Sequence, residues 1–238
     1  MENYIKIAEY IIEKIENGEF EIGSQILTEH QLSKMFQVNR YTVRKAIERL
    51  KNLGYLHSTQ GRGCYVSDKT IFIEYPVKTG GNFSDNLTKL EKKYHNKLLN
   101  WSLFVPNVKE KEALQLNDSD KAYKLTIIRY VDNEPIALYI STLPEKLVPD
   151  LSLHLDDFNS LHKILKEKYQ CTPICKNYSI ETTFPNHEDI LRLNIPTNYP
   201  LFITRTVNMQ ENKNPIEYTI ARMRGDRIKF FMDFSQMS

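Results

Sequence analysis

The sequence predicts an α+β chain: an N-terminal winged helix-turn-helix followed by an antiparallel sheet with flanking helices. Three observations predict it. Two capped helix starts precede a glycine-rich hairpin within the first 66 residues, two hairpin patterns further on echo each other, and helical stretches interleave with those hairpins. With 238 residues, 41% hydrophobic and 26% charged, the chain is long enough for two cores and too apolar to stay disordered. No run approaches the roughly eighteen apolar residues of a membrane span, and the start has no signal-peptide character, so a cytoplasmic protein without a membrane partner is expected. Cys64, Cys171 and Cys175 form neither a disulfide framework nor a zinc-ligand spacing. Cys171 and Cys175 read as packing residues, and no metal or cofactor is expected.

The elements follow in order. Ile5, Ala8, Ile12 and Ile15 lie at helical spacing, and Asn17-Gly18 closes that helix. Thr28 with Gln31 makes a capping box and Leu27 with Leu32 a hydrophobic staple, so a second helix runs from about Glu29 to Phe36. Asn39 caps a third, whose core stripe is Val43, Ala46, Ile47 and Leu50. Its other face shows Arg40, Tyr41, Arg44, Lys45 and Lys51, and Gly54 stops it. Tyr55 to Thr59 and Cys64 to Val66 then read as two strands around the tip Gln60-Gly61-Arg62-Gly63. The net charge of +2 hides an asymmetry: Met1 to Glu29 holds two lysines against seven glutamates, whereas His30 to Arg62 holds seven cations against Glu48. The second stretch is a candidate electrostatic footprint for nucleic acid.

The first domain is taken as residues 1–67, a linker as 68–79 around Pro76, and the second domain as 80–238. In the second domain Ile128 to Val131 and Pro135 to Ile140 form one hairpin pattern, Thr204 to Val207 and Pro215 to Ile220 another. Aligning the prolines places Ile136, Leu138 and Ile140 with Ile216, Tyr218 and Ile220 on a packing face. Ala137, Tyr139 and Ser141 fall with Glu217, Thr219 and Ala221 on a face expected to hold a ligand. Helices are expected near Asn86 to Lys97, Phe158 to Lys168 and His187 to Leu193.

The first 66 residues resemble the winged helix-turn-helix domain of the GntR family of bacterial transcription regulators. The residues that carry it include Gly18, Phe20, Gly23, Leu27-Thr28-Glu29, Leu32, Val38-Asn39-Arg40, Thr42-Val43-Arg44, Gly54-Tyr55 and Gly61-x-Gly63. Leu27 departs from the family's usual proline. The resemblance implies operator contacts from Arg40, Tyr41, Thr42 and Arg44 at the start of the third helix, from His30 to the DNA backbone, and from Gly61, Arg62 and Gly63 at the wing. The bland alternative is a solvated basic face.

The remainder looks like the UTRA ligand-sensing domain, similar in fold to chorismate lyase, a pairing that defines the HutC branch. Arg129, Asp132 to Ile136, Leu143-Pro144, Pro200-Leu201, Glu217-Tyr218 and Arg224 to Phe230 carry that resemblance, nearest to the phosphonate-utilisation repressors of the branch. It implies effector contacts from Phe83, Ser84, Arg129, Tyr139, Ser141, Glu217 and Arg222. Arg129 offers a planar fork for phosphate or carboxylate, or an ion pair with Asp132 or Glu134. Tyr139 also reads as partly buried core. Glu217 needs a ligand amine or hydroxyl, or a partner such as Arg205 or Arg222. Met223 stands where amino-sugar-phosphate sensors of the branch tend to carry tyrosine, which favours a small phosphonate-like anion over a sugar phosphate. Arg224, Asp226 and Arg227 read as a structural ion-pair network. The expected protein is a homodimeric, effector-responsive repressor on a two-fold-related double-stranded operator. An enzyme on the lyase-like fold is the other class, and no P-loop, H-E-x-x-H or G-x-S-x-G motif supports it.

Overall fold

The structure, a computed structural model, describes residues 3–59, 61–68, 73–76, 93–210 and 214–232. The chain divides into two compact units, Met1–Phe72 and Ile73–Ser238. The first holds α1 (Asn3–Glu16), α2 (Glu29–Phe36), α3 (Arg40–Asn52) and a hairpin of β1 (Leu56–Thr59) and β2 (Gly63–Val66). Local chemistry sets each boundary. Thr28 caps α2 through the full capping box, Gln37 closes it in the left-handed region at φ 51°, and the Asn39 side chain accepts from the Thr42 amide to start α3. Ile7, Ile11, Leu32, Val43, Ala46 and Leu50 are buried together, and Leu27 packs against them despite replacing the expected proline. The turn between α2 and α3 is therefore pinned by its own caps and by the apolar stripes it brings together.

The second unit is built on a six-stranded sheet. Its strands are β4 (Tyr94–Phe104), β5 (Ala122–Val131), β6 (Glu134–Pro144), β7 (Ile174–Thr183), β8 (Leu201–Met209) and β9 (Pro215–Arg224), in the order β4-β5-β6-β9-β8-β7 with every pair antiparallel. Helices α4 (Val108–Leu114), α5 (Leu161–Tyr169) and α6 (His187–Leu193) accompany it, and β3 (Ile73–Pro76) pairs in parallel with β10 (Ile228–Phe231). Part of the stretch read as linker, 73–76, is thus a strand of this unit.

The echo seen in the hairpins extends through the whole sheet. Each half runs strand, Pro-Asn capping box, short helix and hairpin, and the halves meet where Ile140 faces Ile220. Even the bulges correspond, at Arg129/Tyr130 in one hairpin and Asn208/Met209 in the other. The N3 acids correspond too. Glu110 bonds Thr142 and Lys124 at 3.1 Å, and Asp189 bonds Arg222 at 2.6 Å, with Thr142 and Arg222 at equivalent strand positions.

Two expectations are corrected. Residues 94–97, read as the end of a helix, begin β4; Tyr94 and Asn96 turn inward and His95 and Lys97 outward, but a polar Asn96 on the inner side and a register shift at Leu98/Asn100 hide the apolar alternation that identifies a half-buried strand. The face bearing Tyr139 and Ser141 is not left open, because both faces of the sheet are packed. Tyr139, Ala221 and Met223 share a core with Leu161 and Leu165 of α5, while Leu138 and Ile128 pack with Leu193, Ile195 and Tyr199 on the other side. The rest of the Asn86 helix lies outside the described residues.

Candidate nucleic-acid interface and effector site

The reading face is built by the caps of α3. Asn39 turns the chain into the helix, and the buried stripe Val43-Ala46-Leu50 locks its rotation. Arg40 and Tyr41 consequently face solvent, Tyr41 with 77% of its surface exposed. Arg44 is exposed as well and forms an ion pair with Glu29 of α2 at 2.9 Å. Thr42 is half-buried, and its hydroxyl donates to Asn39 Oδ1 at 2.9 Å, so it serves the cap. His30 is exposed on α2.

At the wing, Gly61 and Gly63 adopt φ of 72° and 111°, conformations that side chains rarely tolerate. A Cβ on Gly63 would come within 2.6 Å of the Gln25 amide nitrogen, which donates to the Arg62 carbonyl at 2.9 Å. The Arg62 amide closes the tip on the Thr59 carbonyl at 3.0 Å and leaves the side chain exposed. A cationic helix start and a single cation on a rigid hairpin tip can bind an anionic polymer by charge and geometry together.

The second unit sets several polar residues on the sheet face whose core includes Leu161 and Leu165 of α5. Arg129 lies over the Tyr139 ring, its Cζ 3.8 Å from the ring centroid. The Tyr139 and Tyr178 hydroxyls are buried and have no hydrogen-bond partner of good geometry. The Tyr75 ring, from β3, stands 6.1 Å from that of Tyr178 and 5.4 Å from Phe230. Burial pushes all three phenols well above their usual range; neighbouring phenols add to it for Tyr75 and Tyr139 while Arg129 opposes it there, and for Tyr178 the charge of Tyr139 adds to it while Thr204 and Tyr75 oppose it. They remain neutral donors. A cation beside neutral donors in a low-dielectric setting suits an oxyanion.

Farther along the same face Glu217 is 3% exposed. It accepts from Ser141 at 2.6 Å, Thr219 at 2.8 Å and Asn208 at 2.7 Å, and His162 of α5 stands 3.6 Å away. Burial alone would raise its carboxyl; the hydrogen bond and charge of His162, with the Ser141 and Asn208 bonds, bring it down to about 2. Cross-strand register sets Glu217 three rows from Arg129, with the Tyr139 and Ser141 rows between. Three rows are about 20 Å along the strands.

The structure thus brings Tyr139, Ser141 and Glu217 onto one face, the strand parity expected of them, and Arg129 joins that face through its pairing with Ala137. Arg222 is not among them: it points to the opposite face and binds Asp189, itself fully buried. Neither Arg205, which pairs with Glu181, nor Arg222 is the partner of Glu217. Glu134 is likewise taken by Arg224 and Arg227, which with Asp226 form the expected ion-pair network. Phe83 and Ser84 lie outside the described residues. The sequence reading missed Tyr75, Tyr178, Asn208 and His162; register with Glu217 would have found Asn208, but nothing local marks the other three. Among the described residues no cluster of three or more His, Cys, Asp or Glu could hold a metal, and no helix is long and apolar enough to cross a membrane.

Residues 3–66 match the family described as bacterial regulatory proteins, gntR family, and residues 89–229 match the UTRA domain. The chain is 30% identical over 222 residues to a probable transcriptional regulator, PhnF, of Escherichia coli (strain K12), covering 90% of this chain and 88% of that one. It is 26% identical over 227 residues to the mannosyl-D-glycerate transport/metabolism system repressor MngR of the same organism, covering 95% and 93%. Among solved structures, PhnF from Mycobacterium smegmatis aligns with a TM-score of 0.67 at 20% identity, over 97% of this chain and 99% of that one. These relatives are regulators, not enzymes. The capped helix pair, the wing and the doubled sheet therefore have one family reading: the chain belongs to the GntR family of bacterial transcription regulators and carries a UTRA effector domain.

Proposed function

We propose that the chain is a repressor that binds a two-fold-related operator as a homodimer and releases it when a small anion occupies the Arg129 end of the second unit. Arg40, Tyr41 and Arg44 read or clamp the major groove, and Arg62 enters the minor groove from the wing. The observation that carries the effector reading is the Arg129 guanidinium over the Tyr139 ring, whose buried hydroxyl makes no hydrogen bond of good geometry. A buried unsatisfied donor costs about 1–3 kcal/mol, which an acceptor oxygen of the effector would recover. A phosphonate-like anion is favoured because Met223, buried on this face, offers no hydroxyl to a sugar. The MngR name supports repression as the mode of action for this kind of chain.

The test is a thermal-shift panel paired with operator gel shifts. Methylphosphonate, 2-aminoethylphosphonate and inorganic phosphate are compared with glucosamine 6-phosphate. At 100 times its dissociation constant an effector adds about 2.7 kcal/mol to the folded state. Stabilisation by phosphonates with loss of operator binding supports the proposal. Stabilisation by the sugar phosphate alone overturns the argument from Met223, and no response that Arg129→Ala can abolish overturns the site.

A further inference from the structure

Phenols from three strands come together at the Arg129 end of the second unit. Tyr139 of β6 lies one row from Arg129, and Tyr178 of β7 lies one row farther, in line with Ser141, Thr219 and Thr206. Tyr75 comes from outside the six-stranded sheet. Its strand β3 pairs with β10 so that Phe230 is its register partner, and the Phe230 ring stands 5.4 Å from Tyr75 and 5.1 Å from Phe202 of β8. That aromatic wall holds the Tyr75 ring 6.1 Å from the Tyr178 ring. Beyond the effect of burial, Arg129 acts on the titration of Tyr75 and Tyr139, and Tyr75 acts on that of Tyr139 and Tyr178. The Tyr139 and Tyr178 hydroxyls, both buried, make no hydrogen bond of good geometry. The carboxylates of this region are engaged elsewhere: Asp132 by the Lys93 amide, Glu134 by Arg224 and Arg227, and Glu217 by Ser141, Thr219 and Asn208. What converges on Arg129 is a set of hydroxyl donors around a cation.

We propose that this end recognises a group of three proton-free oxygens, with Tyr75 and Tyr178 joining Tyr139 as donors, and that it therefore takes alkylsulfonates as well as alkylphosphonates. This rests on the effector reading above and names the ligand class of that same site. A guanidinium and phenols read oxygens: each N–H or O–H seeks an acceptor lone pair, and none of them contacts the central atom. A sulfonate supplies three acceptor oxygens and a single negative charge, which one guanidinium balances. A phosphonate offers the same oxygens without a proton only as its dianion, with a second charge to desolvate. The sulfonate loses some attraction to Arg129 and saves that desolvation, so the two classes come out close. A carboxylate has two oxygens in one plane and leaves a buried phenol unserved. Ala137 and Met223, buried in the row of Arg129, give a short alkyl group an apolar wall.

The test is isothermal titration calorimetry on the full chain. Methylphosphonate and 2-aminoethylphosphonate are compared with methanesulfonate and 2-aminoethanesulfonate, and acetate serves as the two-oxygen control. Each sulfonate is expected to bind within about tenfold of the phosphonate with the same carbon skeleton and to displace it, with acetate weaker by at least about tenfold. Tyr75→Phe and Tyr178→Phe, each checked by circular dichroism, should each weaken both classes about tenfold, and Arg129→Ala should abolish both. Phosphonates that bind through Arg129 while sulfonates neither bind nor displace them overturn the three-oxygen class and leave the effector reading standing. Acetate that binds as tightly as the sulfonates overturns it as well, by reducing the site to a single charge. Sulfonate affinity unchanged in both phenylalanine variants takes Tyr75 and Tyr178 out of the site. A wild-type chain that binds neither class overturns the effector reading and this inference together.

Discussion

One tyrosine and one glutamate on the same buried face behave in opposite ways. Tyr139 holds a buried hydroxyl without a hydrogen bond of good geometry, so Tyr139→Phe should leave the ligand-free protein as stable or more stable by about 1 kcal/mol. The same change should remove most of the thermal shift given by an active phosphonate, and a variant that keeps the full shift would show that the phenol does not meet the ligand. Glu217, in contrast, has every oxygen engaged, and Gln there would point an amide donor at donors. Its carboxyl sits near 2 when folded and near 4.5 when unfolded. The group therefore contributes stability that is complete above about pH 4.5 and is lost as pH falls through that window toward 2. Chemical denaturation between pH 5 and pH 2 should show a steeper acid loss for the wild type than for Glu217→Gln. Identical slopes would mean that the carboxylate is not held as described.

The elements divide into those whose ends are written locally and those made by pairing. Thr28 with Gln31 and Asn39 specify the starts of α2 and α3 by side-chain caps alone, and both appear where the residues place them. Asn107 with Glu110 carries the same signal for α4, although the helix was not among those expected. Strand β4 could not be found that way, because Asn96 interrupts its inward apolar row, the register shifts at Leu98/Asn100 and Asn100 to Leu103 are exposed on both faces. The ligand-facing row was legible as a face but not as a burial, since α5 covers it through contacts that no local pattern encodes. Arg222 shows the same limit: strand parity assigns it to the opposite face from Glu217, and the duplicated capping box supplies Asp189 to meet it. Removing that acid leaves a largely buried guanidinium unpaired, so Asp189→Ala should cost about 3–5 kcal/mol in urea denaturation. The double variant Asp189→Leu with Arg222→Met should recover most of the loss. Equal stability of Asp189→Ala and wild type would show that the pair contributes nothing.

For the whole molecule, the proposed function sets two readers on one DNA, and each cation of the reading face then has a separable signature. The basic stretch was legible from composition, but its use was not, because Arg44 is exposed and yet paired with Glu29 at 2.9 Å. An exposed pair of this kind is worth about 0–1 kcal/mol, less than a bidentate contact to guanine at about 1–3 kcal/mol, so DNA can take Arg44 from Glu29. Arg44→Ala should then weaken operator binding by that amount in each half-site and leave non-specific binding nearly unchanged. Glu29→Gln should change operator affinity by less than about 1 kcal/mol. Arg62, the one cation in the tip sequence of a wing held by Gln25, is expected to meet phosphate or the narrow groove by charge. Arg62→Ala should weaken specific and random DNA alike. In the logarithmic plot of affinity against salt it should reduce the slope by about two per dimer, one for each half-site. Fluorescence anisotropy from low to moderate salt measures both variants on both DNAs. A slope unchanged by Arg62→Ala would take the wing off the DNA, and a uniform loss for Arg44→Ala would make it a phosphate clamp instead of a reader.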